Sequence, residues 1–376
     1  METVVKIDDG IAPGGAAAGR LESLDVLRGL DMFLIIGGGA MFTGFAKAVD
    51  WGFLNALVPQ FEHVEWEGLH LWDVIWPLFM FVVGVAIPFS TAHRRAAGAT
   101  DRSLLLHAVR RTAILFVLGM AAQGNLLLWD LGKLWPCYSV LHGIGAGYLI
   151  ASVVNLRFPP KARAWITAVF LLVYWVLLML IPVPGVGAGV LTPHGNAATW
   201  VDQLILGRFH HGTNTWFLSY LGFASSVLLG VMAGHVLRSA QTTKAKIAQL
   251  AAAGAICLAL GLVWSLTLPV IKLLWTSSFV LLSGGLSFLA MALFYWIIDV
   301  RGWRSWAFPF RVIGLNPIVA YMAMMLFDFR RIGNIFVGSL LPRVGPWDGL
   351  LSNGAAFATL WLVLYWMYRT RSFMKI

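Results

Sequence analysis

The chain has 376 residues, of which 59% are hydrophobic and only 12% are charged, and its formal net charge is +10. Soluble domains carry about 25% charged residues, so this composition excludes a soluble globule and predicts an all-α polytopic membrane protein. The basic residues form short clusters between apolar runs, a pattern typical of cytoplasmic loops beside anionic membrane lipids, which excludes a nucleic-acid-binding groove.

The chain divides into a short polar tail and one long apolar domain. Residues 1–20 are rich in Gly and Ala and have neither the apolar core nor the cleavage site of a signal peptide, so we expect a disordered cytoplasmic tail. Residues 21–376 are expected to form a single transmembrane domain. Cys137 and Cys257 lack metal-ligand spacing, and no metal is predicted.

A transmembrane helix needs about 20 mostly apolar residues, and ten segments satisfy this requirement. The predicted spans cover residues 24–46, 71–91, 104–124, 136–154, 163–181, 215–237, 247–268, 274–298, 308–327 and 351–369.

The charges of the loops predict how these spans are oriented. Basic residues cluster between spans two and three, four and five, six and seven, and eight and nine, and again at the C-terminus. The loop before span two is instead acidic, with Glu62, Glu65 and Glu67. The positive-inside rule therefore predicts cytoplasmic termini and an external position for the loop before span two. One loop opposes this assignment, because the connection between spans nine and ten, predicted to be external, contains Arg330, Arg331 and Arg343. Its positive charge is partly balanced by Asp328 and Asp348.

Span one contains charged residues, which are unusual because burying a charge in a membrane costs free energy. Asp25 and Arg28 share a helix face and form either an ion pair or a contact with an anionic cofactor. Asp31, one turn deeper, is an alternative partner for Arg28. The glycines that end at Gly39 allow close helix packing or contact with a ligand.

His63 lies among carboxylates just before span two, and Asp73 lies near the entrance of that span. By itself this pattern favours an ordinary surface histidine over a reactive one. Asp73 either orients His63, binds polar groups of a ligand or caps the helix.

Two later segments combine polar and apolar residues in an unusual way. The start of span eight contains Lys272 and then Trp275, Thr276, Ser277 and Ser278, which indicates interhelical hydrogen bonds or a polar site. Asn316 and Pro317 fall inside span nine and predict a break that is buried in protein or lines a cavity.

Five segments together resemble the heparan-α-glucosaminide N-acetyltransferase family, in particular its shorter bacterial NagX-type members. They are RLESLDVLRGLDMF, EHVEWEGLHLWDVIWPLFMFVVG, the PVPGVG…LTPHGN loop, IKLLWTSSFVLLSGG and IGLNPIVAYMA. The resemblance covers most of the chain, and the segments occur in the same order. The His-containing loop that runs into a D-x-x-x-P-x-F-x-F-x-x-G span is the most specific of these features.

The resemblance implies a membrane acyltransferase that uses cytoplasmic acetyl-CoA to acetylate an amino sugar on the opposite face. It also implies that His63 is the catalytic histidine. Two positions depart from the family pattern: the glycine run near Gly39 replaces an asparagine of some members, and His142-Gly143 replaces a Gln-Arg pair. The chain begins without the long extension of the lysosomal members, so we expect a bacterial inner-membrane protein.

The resemblance suggests roles for the other candidate residues. His63 is expected to act as the base, directly or through an acetyl-histidine, and Thr276, Ser277 or Asn316 to donate to the oxyanion. Arg28 is the first candidate for the phosphates of CoA, followed by Arg94, Arg95, Arg110, Arg111 and Arg311. The expected cofactor site further includes Asp25, Gly39, Trp275 and Ser278.

Two other classes of function remain open from the sequence. A sugar transporter also has ten spans and broken helices, and a membrane O-acyltransferase uses the same donor on a glycan or lipid hydroxyl. The expected partners are an amino-sugar or glycan acceptor, membrane lipids and a second copy of the chain in a homodimer.

Overall fold

A computed structural model describes residues 21–123, Leu126 and residues 135–374, so the tail predicted over residues 1–20 lies outside the described residues. Within those residues the fold is all α-helical and contains no named strand, which confirms the predicted class. The helices are α1 Glu22–Phe33, α2 Gly39–Val49, α3 Gly52–Leu57, α4 Leu71–Ala96, α5 Asp101–Ala122, α6 Val140–Arg157, α7 Pro160–Leu180, α8 Ala197–Leu206, α9 Tyr220–Arg238, α10 Thr243–Ser265, α11 Ser277–Phe294, α12 Phe308–Leu315, α13 Pro317–Leu326, α14 Phe329–Val337 and α15 Asp348–Arg369.

The described part of the chain contains nine helices that are long and apolar enough to cross a membrane, and one bent helix pair that brings the number to ten. α1 and α2 act as one span because π-helical turns over Leu34–Gly38 join them. The bent pair is α12 and α13, which meet at 68°. It corresponds to the predicted ninth span, and Pro317 explains the bend because proline cannot continue the helical hydrogen bonding.

The centre of the bundle is formed by α4, α6, α9 and α11, whose spans are mostly buried, whereas only a minority of the residues in the spans of α5, α7, α10 and α15 are buried. α4 and α9 approach each other through glycine. A Cβ atom on Gly84 would lie 2.0 Å from the carbonyl oxygen of Val227, and one on Gly230 would lie 2.0 Å from that of Phe81. Only glycine permits this backbone contact, and it fixes α4 in the core.

Two ends of the bundle can be distinguished by the loops they carry. The His63 face contains the connections α2–α4, α7–α9, α10–α11 and α13–α15, and the terminal face contains the beginning of α1 and the end of α15. The predicted orientation of these faces in the membrane stays a prediction.

Candidate active site

Asp73 organises the loop that carries His63. It lies in the first turn of α4, its side chain is 1% exposed, and its Oδ1 atom lies 2.8 Å from His63 Nδ1. Its Oδ2 atom accepts hydrogen bonds from the backbone N–H groups of His70 at 3.1 Å and Val64 at 3.3 Å. One buried carboxylate therefore caps α4 and holds the imidazole.

Lys272 joins this pair from the α10–α11 loop. Its Nζ atom lies 3.1 Å from Asp73 Oδ1, 2.9 Å from His63 Nδ1 and 3.4 Å from His63 Nε2. Burial lowers the pKa of Lys272 below its ordinary value, and the negative charge of Asp73 opposes that shift. The sequence pattern assigned Lys272 no role in the site. A lone lysine between two spans in a short apolar stretch is the signal that would have found it.

The two loops that supply these residues are attached to each other through their backbones. The N–H of Gly68 donates to the carbonyl of Val270 at 2.8 Å, and Glu67 forms an isolated bridge with Ile271. Thr276 Oγ1 accepts from the N–H of Ile271 and donates to the carbonyl of Pro269. These bonds fix Lys272 relative to His63.

The hydroxyl-rich segment at the start of α11 supports the loop and does not line the cavity beside His63. Ser278 Oγ donates to the carbonyl of Pro269 at 3.1 Å, and Ser277 Oγ donates to that of Leu171 at 2.7 Å. Trp275 is 1% exposed and donates through Nε1 to Ser226 Oγ at 3.0 Å. The backbone φ of Trp275 is +56°, which turns the chain sharply before α11.

A cavity of about 280 Å³ lies beside the His63–Asp73–Lys272 cluster. His63, Lys272 and Gln123 are polar residues on its wall, and most of the remaining wall is apolar. The apolar residues come from α1, the π-helical turn, α4, α6 and α13: Met32, Ile35, Trp72, Ile75, Trp76, Phe79, Val140, Leu141, Ile144, Pro317, Ile318 and Met325. Tyr321 also lines it. Such a chamber suits a ligand with a slender apolar arm and a few polar groups.

Gly39 shapes this wall indirectly. A Cβ atom there would lie 2.4 Å from ring carbons of Trp72, so only glycine leaves room for that indole. Trp72 lines the cavity. The glycine run therefore positions an aromatic wall of the cavity.

The remaining predicted residues lie elsewhere. Asp25 and Arg28 pair with each other at 3.6 Å, and Arg311 pairs with Glu22 at 2.9 Å. Asn316 donates to the carbonyl of Ser372 and accepts from the N–H of Met374, so its amide holds the segment after α15. The structure does not bring these four residues to the cavity beside His63.

His142, the first residue of the His142-Gly143 pair in span four, is fully buried. Its Nδ1 atom accepts from the backbone N–H groups of Tyr138 and Ser139, both at 3.0 Å, and its Nε2 atom lies 3.0 Å from the carbonyl oxygen of Phe116. These contacts occupy both ring nitrogens and cap α6. In contrast, the side chain of His63 is 57% exposed, so it is the imidazole that a substrate can reach.

A second, smaller cleft lies near the terminal face between α4, α5 and α6. Arg94 and His107 line it, and an Arg94 guanidinium N–H donates to His107 Nε2 at 3.0 Å. Ser152 also lines the cleft, and its buried Oγ has no hydrogen-bond partner among the described residues. Nearby, the guanidinium of Arg111 lies over the ring of Tyr148 at 4.5 Å, and its buried Nε is likewise unpartnered within the described chain. These donors suit an anion.

Among the described residues, no group of three or more His, Cys, Asp or Glu side chains is arranged to hold a metal ion.

Comparison with known proteins identifies two relatives with similar coverage. The chain is 27% identical over 428 residues to heparan-alpha-glucosaminide N-acetyltransferase of Mus musculus, an alignment that covers 96% of this chain and 61% of the relative. It is 27% identical over 422 residues to the protein of the same name from Homo sapiens, covering 95% of this chain and 60% of the relative. The chain thus spans about three fifths of the length of these relatives. No family model matches the chain.

Proposed function

Because the chain is related at the family level to the heparan-α-glucosaminide N-acetyltransferases, we propose that it is an integral membrane acetyltransferase that moves an acetyl group from acetyl-CoA to an amino sugar. The observation that carries this proposal is the contact of His63 with both Asp73 and Lys272 at the wall of an apolar cavity. Acetyl transfer to an amine needs a base and a donor to the oxyanion, and this cluster supplies both.

His63 is the proposed general base. Asp73 Oδ1 accepts the Nδ1–H of the imidazole, so that Nε2, 3.4 Å from Lys272 Nζ, carries the lone pair that takes a proton from the acceptor ammonium. The resulting amine forms a C–N bond with the thioester carbonyl carbon. The C–S bond then breaks, and the proton that the nitrogen loses passes to the sulfur, which leaves as the thiol of CoA. An imidazole can both accept and donate a proton, which suits it to this transfer.

Lys272 is the proposed electrostatic partner of the reaction. Its ammonium group has three N–H donors, and Asp73 Oδ1 accepts one of them. Another is available to the oxyanion of the tetrahedral intermediate, because Lys272 lines the cavity together with His63. Thr276 and Ser277 donate to backbone carbonyls instead, and we therefore assign the oxyanion to Lys272.

The donor is proposed to enter between α4, α5 and α6. Phe79 and Ile144 line the cavity beside His63, and Ile87 and Ser152 line the cleft near the terminal face. Phe79 and Ile87 are eight residues apart on α4, and Ile144 and Ser152 are eight residues apart on α6. The cavity and the cleft are therefore about 12 Å apart along each helix axis. The phosphates of CoA would contact Arg94 and Arg111 at the cleft, and the pantetheine arm would follow the two helices to the cavity.

The sidedness of the reaction rests on the loop charges. Arg94 and Arg95 lie in the last turn of α4 at the terminal face, whereas the loop that carries His63 also contains Glu62, Glu65 and Glu67. By the positive-inside rule the donor enters from the cytoplasm and the acceptor from the external side of an inner membrane. The glucosaminide in the names of the two relatives suggests the amino-sugar acceptor.

The direct test is acetyl transfer by purified protein in proteoliposomes, with radiolabelled acetyl-CoA and glucosamine. His63→Ala is compared with His194→Ala, which changes an exposed histidine of another loop on the same face. We expect transfer by wild type and by His194→Ala, and its loss in His63→Ala. Undiminished transfer by His63→Ala would contradict the base assignment. Sugar flux across the vesicle membrane without transfer to any amine or hydroxyl would support a transporter instead.

A further inference from the structure

Asp31 is a buried carboxylate that the proposed reaction does not use. It lies on α1, its residue exposure is 1%, and neither Oδ1 nor Oδ2 has a hydrogen-bond partner among the described residues. Arg28, which the sequence offered as its partner, pairs with Asp25 instead. An isolated carboxylate in a membrane span is costly, and such residues usually mark a binding or transport site.

Asp31 lines a lateral cleft of about 290 Å³ between α1, α4 and α11. The other polar side chain on its wall is Ser287, whose hydroxyl donates to the carbonyl of Ser283 at 2.7 Å and is therefore not directed to Asp31. The rest of the wall is aliphatic or aromatic: Leu34, Phe61, Leu71, Trp72, Val74, Ile75, Leu78, Leu286 and Ala290. A single carboxylate thus lies in an otherwise almost wholly apolar cleft.

This cleft is distinct from the cavity beside His63, although the two are neighbours. Trp72 and Ile75 contribute to both walls, but His63 and Lys272 line only the first and Asp31 only the second. A ligand in the Asp31 cleft would therefore contact neither the proposed base nor its electrostatic partner.

We propose that the Asp31 cleft binds a primary ammonium group carried on an apolar chain. Charge complementarity selects the ammonium, because it supplies the N–H donors and the positive charge that Asp31 lacks. The aliphatic walls select an apolar body and disfavour a free sugar, whose hydroxyl groups would find almost no partners there. The ammonium comes either from a small hydrophobic amine or from an amine-bearing lipid headgroup.

The proposal can be tested by thermal unfolding of the purified protein in detergent with n-decylamine as the probe. We expect decylamine to raise the melting temperature saturably, whereas n-decanol, which has the same chain without the charge, and glucosamine, which has the amine without the chain, do not. Asp31→Asn is expected to weaken the apparent affinity for decylamine at least tenfold. Asp348→Asn changes an exposed carboxylate on the His63 face and is expected to leave the affinity unchanged.

Three outcomes would overturn the proposal: no saturable shift with decylamine, an equal shift with decanol, or equal affinity in Asp31→Asn. If Asp31→Asn does not fold, Leu286→Trp keeps the test open, because an indole at Leu286 fills the cleft and should abolish the decylamine shift. Competition with phosphatidylethanolamine nanodiscs, with phosphatidylcholine nanodiscs as the reference, then identifies the source of the amine. Displacement of decylamine assigns the site to a lipid headgroup, and its retention assigns it to a small amine. Acetyl transfer does not enter any of these readouts, so failure of the proposed function leaves this test intact.

Discussion

The Nζ atom of Lys272 lies 3.1 Å from Oδ1 of Asp73, although the two residues are 199 positions apart in the chain. The same Oδ1 atom contacts His63 Nδ1 at 2.8 Å. The proposed base and a neighbouring cation are therefore both held by one oxygen of a buried carboxylate.

His63→Gln should reduce kcat for acetyl transfer by about 10²- to 10⁴-fold, the usual contribution of a general base. The glutamine side chain retains hydrogen bonding but cannot accept the proton at neutral pH. The measurement is steady-state transfer from labelled acetyl-CoA, with His194→Gln as the matched control. A mutant with a raised KM for the acceptor and an unchanged kcat would assign His63 to binding and not to proton transfer.

Asp73→Asn should lower kcat while leaving the affinity for CoA nearly unchanged. The amide keeps the shape of the carboxylate, but it no longer holds the Nδ1–H tautomer of His63 by a charge-assisted hydrogen bond. Comparison of kcat with thermal stability separates this role from a structural one, because loss of the orienting carboxylate should lower kcat even where the protein remains folded. An unchanged kcat with reduced thermal stability would show that Asp73 acts only as the cap of α4.

Lys272 should set the alkaline limit of activity. Burial lowers its pKa below the ordinary value, so the ammonium form is lost at a lower pH than for an exposed lysine, and activity should fall as the pH rises through that lowered pKa. Lys272→Arg keeps the charge at every accessible pH and should extend activity to higher pH. Lys272→Met should reduce kcat at all pH values. An alkaline limb that does not move in Lys272→Arg would argue against this role.

Arg111→Ala should weaken CoA binding more than Arg28→Ala, because the Nε of Arg111 is buried without a partner in the described chain whereas Arg28 pairs with Asp25. Isothermal titration with CoA is the measurement, and dephospho-CoA serves as the comparison ligand. We expect Arg111→Ala to reduce the difference in affinity between CoA and dephospho-CoA. The reverse ranking would place the nucleotide beside Arg28, as the sequence first suggested.

Asp202 should make stability depend on pH. It is fully buried and accepts the backbone N–H groups of Trp216 and Phe217, and burial raises its pKa to about 6. The folded state then binds the proton more tightly than the unfolded chain, so the stabilisation is present below pH 3.8 and is lost as the pH rises to 6. The loss amounts to about 3 kcal/mol at 1.36 kcal/mol for each pKa unit.

The measurement for Asp202 is the melting temperature between pH 4 and pH 7 in wild type, Asp202→Asn and the exposed control Asp348→Asn. Asp202→Asn should flatten the decline with pH, and the control should follow wild type. Parallel curves for all three proteins would show that Asp202 does not titrate in this range.

The sequence predicted the nine long apolar helices of the described chain and the bent pair α12–α13, because runs of about 20 apolar residues have few alternatives to a transmembrane helix. It also predicted the break at Pro317, since proline cannot sustain the helical bonds of its span. The resemblance to the acetyltransferases selected His63, and Asp73 followed as a neighbour in the chain. These features depend on local composition or on contiguous motifs, which can be recognised from the sequence alone.

Only the tertiary structure showed where the hydroxyl groups of Thr276, Ser277 and Ser278 are directed, because their partners are backbone carbonyls in other segments. It likewise brought Lys272 to Asp73 and separated Arg311 and Asn316 from the cavity. The physical reason is that hydrogen bonds and ion pairs act over about 3 Å, and the packing of the bundle decides which distant residues come that close. The sequence by itself determined the membrane helices, and their packing decided which side chains share a site.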